Sequence, residues 1–267
     1  DMVQFFVDGD RICEDVRGIL RRCPDIARAL SRLTLGRGGP RDLGAVRDGL
    51  DLAASLRKAL EDPSLSGIPE GIAQAVVGLG QHGELVERLG RALSPELPLY
   101  ARDGGFIASG YAAELDQFRL LRDESRRLIA GLQSRYVSDT GVATLKVKHN
   151  NVLGYFVEVS AKHGDQVPCG AEDAFIHRQT MATAVRFSTV ELNELEQKIG
   201  RAADQALALE LALFDDLLGE ISGRVEDIAL CAASLASLDV AAGLADLAQK
   251  RRYVRPLVDG SADFHIQ

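Results

Sequence analysis

The sequence predicts a mainly α protein: a helical core with long antiparallel lever helices that carry a small β-rich insertion. Three observations predict it. Leu and Ala are abundant and Trp is absent, a balance that favours helices. Apolar residues recur at spacings of three and four through most of the chain. Only between Thr144 and Leu192 does the spacing fall to two, the period of a half-buried strand.

The totals set outer bounds. With 267 residues the chain can bury the core of one large domain or two modest ones. A composition 46% apolar and 26% charged is that of a globular protein. The net charge of −8 excludes a wholly basic nucleic-acid binder, so any such contact must come from a local basic patch. The start, DMVQFFVDGD, lacks a basic-then-apolar signal pattern and reads as a cut from a longer chain. No unbroken apolar run reaches the roughly 18 residues of a membrane span, and the expectation is a cytoplasmic protein without membrane contact. Cys13, Cys23, Cys169 and Cys231 form no CxxC pair and are expected to be reduced, mostly buried thiols.

In chain order, Phe6, Ile12, Val16, Ile19 and Leu20 fit one or two helices, and Pro24 restarts a stripe through Ile26, Leu30 and Leu33. Gly36-Arg37-Gly38-Gly39-Pro40 resembles a phosphate loop but lacks the Lys-Ser/Thr ending. It reads better as a helix stop with Pro40 near the next start. Leu43, Val46, Leu50, Ala53 and Leu56 mark a helix over 41–60, and residues 70–93 are helical again. Gly78-Leu79-Gly80-Gln81-His82-Gly83 matches GxGxxG. A dinucleotide site would also need a preceding strand and a later ribose-binding acid, and neither pattern follows. Residues 94–109 read as a loop or small hairpin.

A long helix is predicted from Tyr111 to Arg135, through Leu115, Phe118, Leu121, Leu128 and Leu132. Leu145 and Val147 then alternate with Lys146 and Lys148, and Tyr155, Val157 and Val159 with Phe156, Glu158 and Ser160. Asn150-Asn151 suits the turn between them. After a loop with Gly164, Pro168 and Gly170, residues 174–180 read as a strand, and 183–187 as a strand or turn. Ser188 and Glu191 fit a capping box. The helix it opens keeps a seam through Leu192, Leu195, Ile199, Ala202, Ala206, Leu209 and Leu213. Gly223 ends it. A last long helix carries Ile228, Cys231, Leu235, Leu238, Ala242 and Ala245, and Pro256 follows it.

The insertion carries Lys146, Lys148, Lys162, Arg178 and Arg186 against Glu158, Asp165, Glu172 and Asp173, about one unit positive in a chain of −8. A solvated sheet face has such a composition, and so does a small set of phosphate contacts. His149, His163 and His177 sit at no metal-ligand spacing with a Cys or acid partner. GxSxG and HExxH are both absent, and Glu191, Glu194 and Glu196 suit the start of a helix better than paired catalysis.

Two blocks carry a resemblance: Leu145-Lys146-Val147-Lys148-His149-Asn150-Asn151-Val152-Leu153-Gly154-Tyr155-Phe156-Val157-Glu158-Val159, and Phe175-Ile176-His177-Arg178-Gln179-Thr180 with Arg186-Phe187 and Glu191-Leu192. With Leu35 to Leu43 and Ala206 to Glu210, they resemble the MutS family of DNA mismatch repair proteins, in order over the whole chain. The resemblance implies a helical core over 1–110, an outgoing lever over 111–141, a β-rich clamp over 142–188, and a returning lever and core helix over 189–251. It makes 252–267 the start of an ATPase domain. It implies duplex DNA as partner, held by its backbone through Lys146, Lys148, His177, Arg178 and Arg186. His177 stands where relatives often carry Arg, and Ala182-Thr183 where a Lys is common. The mismatch-probing element and the ATP and magnesium site belong to other parts of such proteins, so this segment is expected to hold no cofactor and to be no enzyme by itself. Homodimerisation and a MutL-type partner are further expectations. The reading from the residues alone keeps a protein-binding helical scaffold open beside the DNA clamp.

Overall fold

The computed structural model describes residues 1–150, 152–169, 174–256, 258 and 260. The expectations that rest on Asn151, Gly170, Glu172, Asp173 and most of the segment after Pro256 lie outside the described residues. The protein is mainly helical with one four-stranded antiparallel sheet, and the chain divides into two compact units.

The first unit comprises Asp1–Phe106 and Phe214–Gln267. Its helices are α1 (Met2–Asp8), α2 (Asp10–Leu20), α3 (Ile26–Thr34), α4 (Pro40–Leu60), α5 (Glu70–Gly78) and α6 (Gly83–Ala92), followed later by α9 (Val225–Arg251). Pro40 is the first residue of α4, where its missing N–H costs nothing. The Asp42 carboxylate accepts the Gly39 N–H at 2.8 Å and closes that helix start. The apparent phosphate loop is therefore a helix junction. The GxGxxG stretch lies between two helices, since Ile72–Val77 is in α5 and Gly80 turns the chain at φ +66°. Residues 94–106 hold a short 3-10 helix, Ala101–Asp103, and Ser94 N–H donates to the Phe106 carbonyl at 2.8 Å.

Helix α9 packs its inner face against α1, α2, α3 and α5 through Ile228, Cys231, Leu235, Leu238 and Ala242. Among the described residues it is the one helix long and apolar enough to cross a membrane by length and composition, with a mean hydropathy of 1.9 in its most apolar window. Glu226, Asp227, Asp239 and Asp246 interrupt its apolar run. Its buried inner face is that of a core helix. Cys231 lies there, and burial, then the neighbouring Cys23, pushes its thiol up to about 12. Cys13 is also buried, Cys23 half-buried and Cys169 exposed, all as free thiols.

The second unit, Ile107–Leu213, holds α7 (Ala113–Thr140), the sheet and the first part of α8 (Val190–Ser222). Strands β1 (Lys146–Asn150), β2 (Gly154–Ser160), β3 (Phe175–Thr180) and β4 (Ala184–Thr189) lie in the order β1-β2-β4-β3. Two cross-links fix α7 and α8 as antiparallel neighbours: Arg119 with Glu210 near one end, Arg135 with Glu191 near the other. The sheet's inner face, Val157, Val159, Val185 and Phe187, packs with Ile129, Leu132 and Tyr136 of α7 and Leu192, Leu195 and Ile199 of α8. These buried branched and aromatic side chains are the largest local source of stability, on the order of 1.5–3 kcal/mol for each fully buried one.

Three local expectations are corrected. The buried side of α7 runs through Leu115, Ser125, Ile129, Leu132 and Tyr136, while Leu121 and Leu128 are exposed. The α8 seam passes from Ala206 to Glu210 and Phe214, not to Leu209 and Leu213. Three consecutive steps of four, from Ala202 to Phe214, shift its phase and bring a carboxylate, 3% exposed, onto the seam, where Arg119 meets it. Finally, Thr189 rather than Ser188 caps α8. Its Oγ1 accepts the Leu192 N–H at 3.0 Å and shares a 2.7 Å hydrogen bond with the Tyr136 hydroxyl.

Candidate nucleic-acid interface

The hairpin turn sets the register of the sheet, and the register sets which cations meet. Asn150 Oδ1 accepts the N–H groups of Val152 and Leu153 at 2.9 and 2.7 Å. Gly154 follows at φ +66°, a conformation that costs other residues about 1–2 kcal/mol. A Cβ there would also run into the Glu196 carboxylate. Glu196 in turn accepts the Tyr155 N–H at 3.2 Å, which ties the turn to α8. Gln133 Oε1 does the same for β1 from α7, accepting the Val147 N–H at 2.9 Å.

That register pairs Lys146 with Glu158, Lys148 with Phe156 and Glu158 with Arg186. Directly paired residues share a face. Lys146, Lys148 and Arg186 therefore lie on the outer face, opposite Val147, Val157 and Phe187. Arg178 joins them through an irregularity between His177 and Gln179, where β3 carries one extra residue. Its Nε donates to Ser188 Oγ, on the same face, at 2.7 Å. The Ser188 hydroxyl thus orients a cation rather than capping a helix.

Glu158 is the hub of this face. It accepts from Lys148 Nζ at 2.6 Å and from Arg186 Nε at 3.0 Å. The Lys148 hydrogen bond, then that of Arg186, holds its carboxyl below the usual carboxylate range against the opposing effect of burial. Arg186 is further engaged by Gln179 Oε1 at 3.0 Å, and its guanidinium stacks 4.7 Å from the Phe156 ring centroid. It covers a phenyl ring that is only 2% exposed on the outer side of the sheet. Arg186 is therefore mainly a structural cation whose charge still adds to the face. Lys146, Lys148 and Arg178 are exposed, and Lys146 has no ion partner among the described residues. Four cations and one carboxylate leave this face three units positive in a chain of −8.

His177 does not join them. It pairs with Phe187, its ring 5.9 Å from that phenyl, and its Nε2 hydrogen-bonds Thr180 Oγ1 at 2.8 Å. It lies on the opposite side of β3 from Arg186. Lys162 lies on the 3-10 segment Ala161–Gln166, off the strands. Glu158 and Gln179 are the residues that sequence reasoning missed. Pairing outward from the 150–154 turn would have found Glu158, because it places that residue across from Lys146. Among the described residues no group of three His, Cys, Asp or Glu side chains converges to hold a metal ion.

Such a face can attract phosphates over a broad area and offers guanidinium and ammonium donors at fixed strand spacing. Residues 110–205, which include α7, the sheet and the first part of α8, match the family model described as MutS family domain IV. The whole chain is similar to proteins named DNA mismatch repair protein MutS. It is 52% identical over 268 residues to that of Rhizobium meliloti (strain 1021), and 51% and 50% identical over 269 residues to those of Rhodopseudomonas palustris strains HaA2 and BisB5. In each case the match covers 100% of this chain and 29% of the relative's length. An unbroken match at half identity, with the domain IV model falling on the sheet and its helices, shows that the chain belongs to the MutS family.

Proposed function

We propose that the outer face of the sheet is a clamp surface that rests on the phosphate backbone of duplex DNA without reading its sequence, and that α7 and α8 are the levers that carry it. In this reading residues 1–110 are core, 111–141 and 189–251 lever and core helix, 142–188 clamp, and 252–267 lead towards an ATP-hydrolysing part of the whole protein. ATP with magnesium, a second protomer and a MutL-type partner act in that whole protein, in the bacterial cytoplasm, and not through a cofactor held by this segment.

One observation carries the reading. Four cations share a single sheet face, three of them held in place by Glu158 and Ser188, within the segment that matches domain IV. Lys146 and Arg178 are the expected direct phosphate contacts, with Lys148 beside them and Arg186 supplying mainly field. His177, on the other side of β3, is expected to contribute little.

Titration of a fluorescently labelled duplex at low salt tests this. The variant Lys146→Ala/Lys148→Ala/Arg178→Ala leaves Arg186 over Phe156 and so preserves the fold. It is expected to bind at least tenfold more weakly, and His177→Ala to bind as wild type. Equal binding by the triple variant would refute the clamp assignment. A scaffold that binds only proteins predicts no duplex binding by the wild type at all.

A further inference from the structure

We infer that Lys148 is a reserve contact for the DNA backbone, held off in the free protein by Glu158 and handed to a phosphate when duplex arrives. The inference rests on the reading of this face as a phosphate-holding surface, and adds to it a residue that tunes the affinity. Lys148 Nζ and Arg186 Nε donate to the same carboxylate, at 2.6 and 3.0 Å, but the two cations are held very differently. Lys148 reaches Glu158 along a diagonal, since the register sets it opposite Phe156 and puts Lys146 opposite Glu158. Among the described residues Glu158 is its one partner, and its side chain is 49% exposed. Arg186 is 20% exposed and has three supports: Glu158, the Gln179 side chain and the Phe156 ring.

That asymmetry decides which cation can leave. An ion pair as exposed as that of Lys148 with Glu158 contributes little, because water screens it and a long flexible side chain must be ordered to form it. Losing Lys148 does not strand the carboxylate, which keeps its Arg186 hydrogen bond and so remains paired. Losing Arg186 would uncover Phe156, a ring that it shields from water. A phosphodiester offers Lys148 what Glu158 offers it, one negative charge and oxygen acceptors, and adds the release of counterions condensed on the duplex. The exchange therefore runs from carboxylate to phosphate, with Lys148 swinging away and Arg186 staying on its ring. Lys146 has no such tether and is the contact available at first encounter. Glu158 thereby subtracts from DNA affinity, since each use of Lys148 breaks the pair it makes.

A double-mutant cycle with labelled duplex at low salt tests this. Glu158→Gln keeps the size and hydrogen-bonding capacity of the side chain without its charge, and is expected to bind duplex several-fold more tightly. Lys148→Gln should weaken binding slightly in wild type, and roughly threefold or more beyond that when Glu158 is replaced. A second readout does not depend on affinity. The side-chain carboxyl carbon of Glu158, followed by carbon-13 NMR of the 267-residue chain, should shift on adding saturating duplex as Lys148 leaves. Salt-sensitive binding in which Lys148→Gln costs the same in both backgrounds, or a Glu158 carbon that does not move, would overturn the inference and leave the clamp surface standing. No duplex binding by wild type or by Glu158→Gln would remove the clamp surface itself, and the inference with it.

Discussion

The two faces of the sheet are built from the same four strands and do opposite work. Inward, Val157, Val159, Val185 and Phe187 lock the sheet to α7 and α8. Outward, one residue along, Lys146, Lys148, Arg178 and Arg186 share a face with Glu158. The alternation of a pleated strand places apolar core residues and cations side by side in sequence and on opposite faces in space. It teaches that the basic face can be altered with little effect on the fold, while its geometry depends on the apolar face behind it.

The largest expected effect breaks that dependence. Phe187→Ala opens a cavity where Phe175, Phe187 and the helices meet, and should cost about 3–5 kcal/mol in chemical denaturation of the second unit. DNA binding should fall with it, although Phe187 cannot touch phosphate. Next, Gly154→Ala forces a side chain into a left-handed turn and against Glu196. A loss of about 2 kcal/mol is expected, with a matching loss of hydrogen-exchange protection in β1 and β2. Lys146→Ala and Arg178→Ala should do the reverse, changing stability by about 0.5 kcal/mol or less while each weakens duplex binding.

The smallest effect concerns pH. Because Lys148 and Arg186 hold the Glu158 carboxyl below its ordinary 4.5, its contribution to stability is present above that pH and is lost as pH falls below it. Glu158→Gln should remove this part of the acid dependence of unfolding. It should also bind duplex more tightly than wild type at neutral pH, since the face then carries four positive charges and no negative one.

Much of this was legible in the sequence, in proportion to how local its cause was. The long helices, Pro40 at a helix start, the break at Gly223 and the hairpin at 146–160 follow from neighbouring residues. Helix phase was less secure. A strict seam favours Leu209 and Leu213, but a buried pairing with Arg119, ninety-one residues away, brings Glu210 inward instead. Leu121 and Leu128 likewise looked buried by composition and are exposed. The cap was ambiguous because Ser188 and Thr189 both carry hydroxyls, and only Tyr136 and Arg178 decide which one caps and which one orients a cation. At the candidate site the cation types were legible but their faces were not. One extra residue in β3 separates His177 from Arg178, and no periodicity reveals it.

The central claim is that the outer face holds phosphates. Its most direct test is the salt dependence of duplex affinity, measured for wild type and for Lys146→Ala. The account predicts that log affinity falls linearly with log salt, with a slope of about −2 to −4, and that removing Lys146 makes the slope shallower by about 0.9. Affinity that is indifferent to salt, or a slope unchanged by the loss of Lys146, would contradict it.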